Sequence, residues 1–511
     1  MVKKSNIFFL LLLIILVFPA TLALFHPGFF LTDDGNWMVI RFSSFYENFR
    51  EGQIPVRFLT RLNYGYGYPV ADFLYPLFMY IGIPIHAIGF SFVNTIKIIL
   101  GISLISSSFF SFLWLRKTFT NIASLIGALA YTLFPYHLWD VYKRGSVGEV
   151  LALAIIPFIL WAIEKRNIFL ISLGYGLLIT SHNSLAFIFI PIIFIYHLIL
   201  PKNNFLNSLF CLVIGLSLSA FFWIPALYDK QFTVFDRIPV SNYADYFISL
   251  KNINLFGITL LFSIILSLFF ILKKDLRFIY FAMVTIFSIF FTLPISAALW
   301  NSILANLIQF PFRFISLTIL GVSYLVAYQI NSVKIWKKAF ILIYLFLIFI
   351  SARSFISPSQ YQNYPDTFYS TNQDSTTVKN EYMPKWVGKI PNSSPEKKIK
   401  IVQGKGTIED FRGGGSKFSF NVNLTEKSIL EISSIYFPGW EAKLNGKKTV
   451  ISYDNKYGLI HLVIPSGKHK VDVGFKETNI RLISDLISLA TVFLLLSWFL
   501  LIKKGIIIKA K

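Results

Sequence analysis

Twelve almost uninterrupted apolar stretches recur along the chain, at 7–24, 94–115, 119–137, 147–163, 168–181, 184–200, 205–224, 253–272, 277–294, 311–331, 336–351 and 480–502. A helix rises about 1.5 Å per residue, so segments of this kind are built to cross a hydrocarbon layer of about 30 Å. No water-surrounded core could hide them all. The chain of 511 residues is 55% hydrophobic and only 14% charged, with 55 phenylalanines, and its mean hydropathy is +0.64. A soluble protein would be about a quarter charged. Lipid is therefore the solvent for most of the surface, which excludes a soluble enzyme. The formal charge of +22 does not imply nucleic acid, because Lys and Arg sit in short clusters between the apolar runs, which is a membrane-topology pattern. The single cysteine, Cys211, excludes both an intrachain disulfide and a cysteine-based metal site.

Lys3-Lys4 followed by the apolar run from Ile7 to Leu24 predicts a retained N-terminal anchor, since no small-residue cleavage site follows. Arg116-Lys117, Lys165-Arg166, Lys202, Lys273-Lys274, Lys334 with Lys337-Lys338, and Lys503-Lys504 can all be cytoplasmic if the chain starts inside. Both termini are then cytoplasmic in a multi-pass cell-membrane protein of twelve spans. The segment from Phe73 to Phe90, with Pro76, Pro84 and His86, reads as re-entrant or interfacial; if it crosses, the spans number thirteen.

This topology places the 25–72 loop, the loops at 138–146, 225–252 and 295–310, and the 352–479 segment on the extracytoplasmic face. Residues 1–351 form the transmembrane domain, and 480–511 the final helix with a cytoplasmic tail. Between Ser357 and Pro395 the composition of Ser, Asn, Pro, Tyr and Gln predicts irregular structure. Period-two alternation follows in KFSFNVN at 417–423, SILEISSI at 428–435 and LIHLVI at 459–464, with turns at Pro438-Gly439, Asn445-Gly446 and Ser466-Gly467. The prediction is an antiparallel β-sandwich of about seven strands over 397–478, set before the last span.

The first outer loop begins HPGFFLTDDGNW, which puts Asp33 and Asp34 within a few residues of the lipid surface. A carboxylate there can take a proton from an incoming hydroxyl or hold a divalent cation. Alternatively, Asp33 caps the helix that starts near Gly35. No cofactor is required by the pattern, and the seven histidines show no ligand spacing.

The DDG at 33–35, Arg41, NYGYGYP at 63–69, FLYP at 73–76, YKRGSVGE at 142–149, SHN at 181–183 and QFPFRF at 309–314 together resemble membrane glycosyltransferases of the C-type fold. Those enzymes use polyprenyl-phosphate sugars and carry an acidic motif in the first outer loop. A closer resemblance is to membrane proteins labelled 6-pyruvoyl-tetrahydropterin-synthase-related and to YfhO-like proteins, whose outer β-domain is matched by YFPGWEAKLNG at 436–446 and IPSGKHKVDVGF at 464–475. Nothing in the chain looks like a three-histidine pterin enzyme. Met38 stands where related sequences often carry His. The resemblance implies sugar transfer from a polyprenyl-phosphate donor to a glycan or lipid acceptor, with Asp33 and Asp34 catalytic.

An anionic headgroup needs fixed cations at helix ends. Arg144, with Lys143 beside it, and Arg313 are suited to phosphate, or else snorkel to ordinary lipid headgroups. Arg57 and Arg61 either contribute or anchor their loop, and Arg41 joins them as a candidate. NYGYGYP, with Tyr66 at its centre, offers aromatic faces to a sugar or forms an interfacial belt. Glu149 is a further candidate or an acid placed to suit its helix dipole. His182 is a site residue or part of a turn. The alternative function is a non-catalytic or transport protein that assists lipid-linked glycan handling.

Overall fold

The computed structural model describes residues 4–201, 204–237, 243–270, 274–300 and 303–503. Lys3, Lys202, Lys273 and Lys504, on which the orientation draws, lie outside the described residues. Over their described residues the twelve apolar runs lie mainly on helix. Among the described residues six helices are long and apolar enough to cross a membrane: Ile7–Phe25, Phe92–Leu115, Val147–Glu164, Ile253–Phe270, Pro311–Ser332 and Asn479–Trp498. Three bent pairs have the same character, with bends of 43°, 71° and 82°. The chain has the build of a multi-pass membrane protein.

Val147–Glu164 and Pro311–Ser332 form the centre of the bundle, whereas Ile7–Phe25 and Asn479–Trp498 lie at its edge. The edge exposes Phe8, Ile15, Leu489 and Phe493; such a surface is stable only against lipid. Helices approach closely where a side chain is missing. A Cβ on Gly321 would stand 1.9 Å from Thr285 Oγ1, so the helices Leu276–Thr292 and Ile315–Ser332 pack through a small residue. The ambiguous segment forms Leu77–Ala87, 11 residues long; at 1.5 Å each it covers about 16 Å, roughly half a hydrocarbon core.

Eleven strands are present among the described residues. β1 (Phe29–Phe30) pairs antiparallel with β2 (Tyr361–Gln362), which ties the first loop to the segment expected to be irregular. That segment also contains the short helix Asp366–Thr371. The β-domain then runs through β3 (Ile399–Gln403), β4 (Gly406–Gly413), β5 (Lys417–Leu424), β6 (Ser428–Ile435), β7 (Trp440–Leu444), β8 (Lys447–Thr449), β9 (Ile451–Ser452), β10 (Leu459–Ile464) and β11 (Gly467–Phe475). These are nine strands rather than about seven, in sheets ordered β3-β6-β10-β9 and β4-β5-β11-β7-β8. The alternation in β5 is real: Phe418, Phe420, Val422 and Leu424 are buried, facing Leu430, Ile432, Leu462 and Ile464 across the sandwich core. Asn445 and Gly446 both have positive φ, 49° and 82°, as the two-residue hairpin between β7 and β8 demands.

The β-domain docks on the first loop. The Glu51 carboxylate accepts hydrogen bonds from Gly415 N at 2.9 Å, Ser416 N at 3.0 Å and Ser416 Oγ at 2.8 Å. Phe58 enters the sandwich core, stacked on Phe475 and edge-on to Trp440, with ring centres 5.2 and 5.6 Å away.

Candidate functional site: an acidic pair clipped to a buried ion network

The acidic pair and the basic pair meet through their backbones. Asp33 N donates to Lys143 O at 3.0 Å, and Asp34 N donates to Arg144 O at 2.8 Å. Two local features permit this. The chain leaves Trp139 in a π-type turn, Asp140–Arg144, closed by Gly145 at φ 68°, the left-handed ending that glycine favours. A Cβ on Gly145 would also stand 2.8 Å from Gly35 Cα, so glycine lets the two loops touch. Opposite, the helix Gly35–Arg50 begins at Asp34 without a side-chain cap from that residue. Thr32 Oγ1 accepts from Gly35 N at 3.0 Å instead. Capping by Asp33 is thus corrected: its carboxylate faces Lys143 Nζ at 3.9 Å, with both side chains about half exposed.

Behind the pair lies a buried network centred on Glu149, in the first turn of Val147–Glu164, where the helix dipole favours an acid. Glu149 Oε1 accepts from Arg144 Nη1 at 2.6 Å and from Arg313 Nε at 2.8 Å. Tyr136 OH donates to Oε2 at 3.1 Å. Arg144 Nη1 also reaches Asp140 Oδ1 at 2.9 Å, and Nη2 stands 3.8 Å from Asp34 Oδ2. His182 Nδ1 accepts from Leu185 N at 3.2 Å, capping the next helix, so the neutral ring carries its proton on Nε2, 3.6 Å from Glu149 Oε1. Burial pushes the His182 imidazole down to about 3.

The structure therefore brings Asp33, Asp34, Arg144, Glu149, His182 and Arg313 into one assembly. It changes what two of them can do. Arg313 Nη1 is bonded to Ser184 Oγ, Ile308 O and Gln309 Oε1 at 3.1, 2.6 and 3.0 Å, and Nε to Glu149. Arg144 is equally engaged. Both guanidiniums are more than nine-tenths buried, so they hold Glu149 rather than offering a free fork to phosphate. Lys143 is the half-exposed cation beside the pair.

The other candidates stand elsewhere. Arg57 sits in a second ion cluster, 3.5 Å from Asp72, 3.4 Å from Glu477 and 2.8 Å from Asp485; Arg481 adds Asp229 at 2.8 Å and Asp72 at 3.5 Å. Burial works against the charge on Arg57, yet Asp72, Glu477 and Asp485 raise its pKa overall. This cluster clamps the first loop to the start of the last helix. Arg61 anchors its loop through Glu47 at 2.9 Å, Ser43 Oγ at 2.5 Å and Asn372 O at 3.1 Å, and burial lowers its pKa. Arg41 donates to Thr376 Oγ1 at 3.0 Å and to Thr376 O. Tyr66 O accepts from Ile435 N at 2.8 Å, so Tyr66 meets the β-domain.

Asp140 and Tyr136 complete the network and were missed in the sequence. The one signal was an i, i+4 spacing from Asp140 to Arg144. No three His, Cys, Asp or Glu residues are placed to hold a metal ion among the described residues. Asp33 and Asp34 alone would supply two carboxylates to a divalent cation.

No family model matches the chain, and no curated protein matches it. Among solved structures it is similar to the arabinofuranosyltransferase AftD from Mycobacteria, at 14% identity and TM-score 0.45, covering 71% of this chain and 28% of that one. It is also similar to the Archaeoglobus fulgidus oligosaccharyltransferase, at 14% identity and TM-score 0.46, covering 75% and 62%. The same organism's oligosaccharyltransferase AglB, in complex with an inhibitory peptide and a dolichol-phosphate, is similar at 13% identity and TM-score 0.45, covering 75% and 57%. The chain spans less than two thirds of the length of each.

Proposed function

We propose that this chain is a membrane glycosyltransferase of the C-type fold, YfhO-like in its outer domain, that moves a sugar from a polyprenyl-phosphate donor to an acceptor on the outer face. The observation that carries the reading is the acidic pair clipped by its backbone to Lys143-Arg144, in the first loop after the first apolar helix. Asp34 is one-third exposed and oriented by Arg144, so it has an accessible carboxylate in a fixed place, as a general base needs. The acceptor hydroxyl gives its proton to that carboxylate as its oxygen bonds to the anomeric carbon. The bond from that carbon to the phosphate oxygen breaks, and polyprenyl phosphate leaves. Lys143 faces the charge that collects on the departing oxygen.

Arg144 and Arg313 act as positioning residues, fixing Glu149 and through it the loop that presents Lys143. A divalent cation at Asp33 and Asp34 is compatible with this scheme, and no step requires it. Incubating purified protein with a polyprenyl-phosphate sugar tests the reading: sugar is released or transferred, and polyprenyl phosphate appears in equal amount. A protein inert toward every such donor would leave the non-catalytic role in lipid-linked glycan handling.

A further inference from the structure

A cleft of about 770 Å³ opens between residues 63–64 of the first loop and the segment 371–392, within the 300–1,000 Å³ of ordinary small-molecule sites. Its lining is unlike the rest of the molecule. Asn372, Gln373, Asn380 and Asn392 contribute amides, Tyr64 an aromatic ring and Asp374 a carboxylate; neither Lys nor Arg lines it. With a carboxylate and no cation the cleft disfavours phosphate. Amides and hydroxyls that both donate and accept, beside an aromatic face, are the chemistry that recognises a neutral polyhydroxylated molecule.

A further observation shows that the cleft has a fixed shape. The backbone is held in left-handed conformations at Asn63 (55°), Tyr64 (57°), Thr376 (61°) and Asn380 (53°), which is unfavourable for Tyr and especially for the β-branched Thr. The fold enforces this shape: Tyr64 N bonds Gln373 O at 3.0 Å, joining the two walls, and Thr376 accepts from Arg41. The Tyr64 ring stays open, at 41% exposure.

We infer that the cleft between Asn63-Tyr64 and 371–392 is a binding site for a neutral saccharide, with Tyr64 stacking on a sugar face and the Gln373 and Asn392 amides bonding its hydroxyls. That saccharide is the acceptor glycan, an assignment that rests on the glycosyl-transfer reading; the binding itself does not. Arg41 links the two places, since it lies seven residues beyond Asp34 on one helix, about 10 Å along the axis, and its side chain holds the cleft wall at Thr376.

The test is calorimetric titration of the full-length protein in detergent with mannotriose, maltotriose and cellotriose, with inorganic phosphate and a neutral tripeptide as controls. At least one trisaccharide binds saturably, and the controls do not. Tyr64→Ala and Asn392→Ala each weaken binding about tenfold or more. Asp34→Asn leaves binding within about twofold while abolishing transfer, so failure of catalysis and failure of this site read out separately. Should Asn392→Ala lower the unfolding midpoint, Asn392→Asp, which keeps the shape and removes the donor, replaces it with the same expected loss. No binding by any trisaccharide, preference for phosphate or tripeptide, or binding that survives these substitutions overturns the inference.

Discussion

Replacing Glu149 by Gln keeps the volume of the side chain and removes the charge that two buried arginines share. Arg144 and Arg313 donate to the same oxygen at 2.6 and 2.8 Å, and Glu149 is fully buried. Breaking a buried ion pair by deleting one partner costs about 3–5 kcal/mol. Arg144 retains Asp140, and Arg313 retains Ser184, Ile308 O and Gln309, so the lower end applies, about 3 kcal/mol. Arg313→Gln should lose a similar amount, because Glu149 then keeps only Arg144 and Tyr136. If the network is one unit, the double variant loses less than the sum of the singles by about 1–3 kcal/mol. Reversible unfolding in mixed micelles by increasing detergent denaturant measures all three. A Glu149→Gln protein within about 0.5 kcal/mol of wild type, or strict additivity, would refute the claim that Glu149 organises the site.

Arg57→Gln breaks the clamp to Asp72, Glu477 and Asp485; it should lower stability by about 3–5 kcal/mol and leave donor KM unchanged in the folded fraction, whereas a raised KM alone would return Arg57 to the substrate. Phe58→Ala removes the ring seated between Phe475 and Trp440 and should destabilise the chain by about 3–5 kcal/mol. The fragment 397–478 keeps its own sandwich core and should give a β-rich spectrum with a cooperative transition; a disordered fragment would contradict this. Burial lowers Lys398 to about 8 in the folded chain, against an ordinary value near 10.4 in the unfolded chain. The unfolded state therefore binds more protons between those values, and stability rises with pH across that window; Lys398→Met should lose this rise, as measured by unfolding midpoints at pH 7.5 and 10.

What the sequence discloses follows the range of the forces involved. Apolar runs and the alternation in β5 are local, so helices and the sandwich were legible. β8 and β9, of three and two residues, are too short to carry a period, and the strand count came out low. The acidic pair and Lys143-Arg144 were each legible as polar breaks at helix ends, and charge patterning placed both on one face. Their pairing was not, because backbone bonds join them. Arg57 finds Glu477 across 420 residues and Arg313 finds Glu149 across 164; such separations leave no local trace. Arg57, which the sequence left as a phosphate ligand or a loop anchor, and Arg313, left as a phosphate ligand or a snorkelling cation, are both held by buried carboxylates.

The most direct test of the central claim compares turnover of wild type, Asp33→Asn and Asp34→Asn with a polyprenyl-phosphate sugar. Asn preserves shape and removes proton acceptance, so loss of the base lowers kcat about a hundredfold or more with little change in donor binding. Asp34→Asn should show that loss, and Arg144→Lys should lower kcat less. If both Asn variants keep full transferase activity, the acidic pair is not the catalytic centre and the account fails.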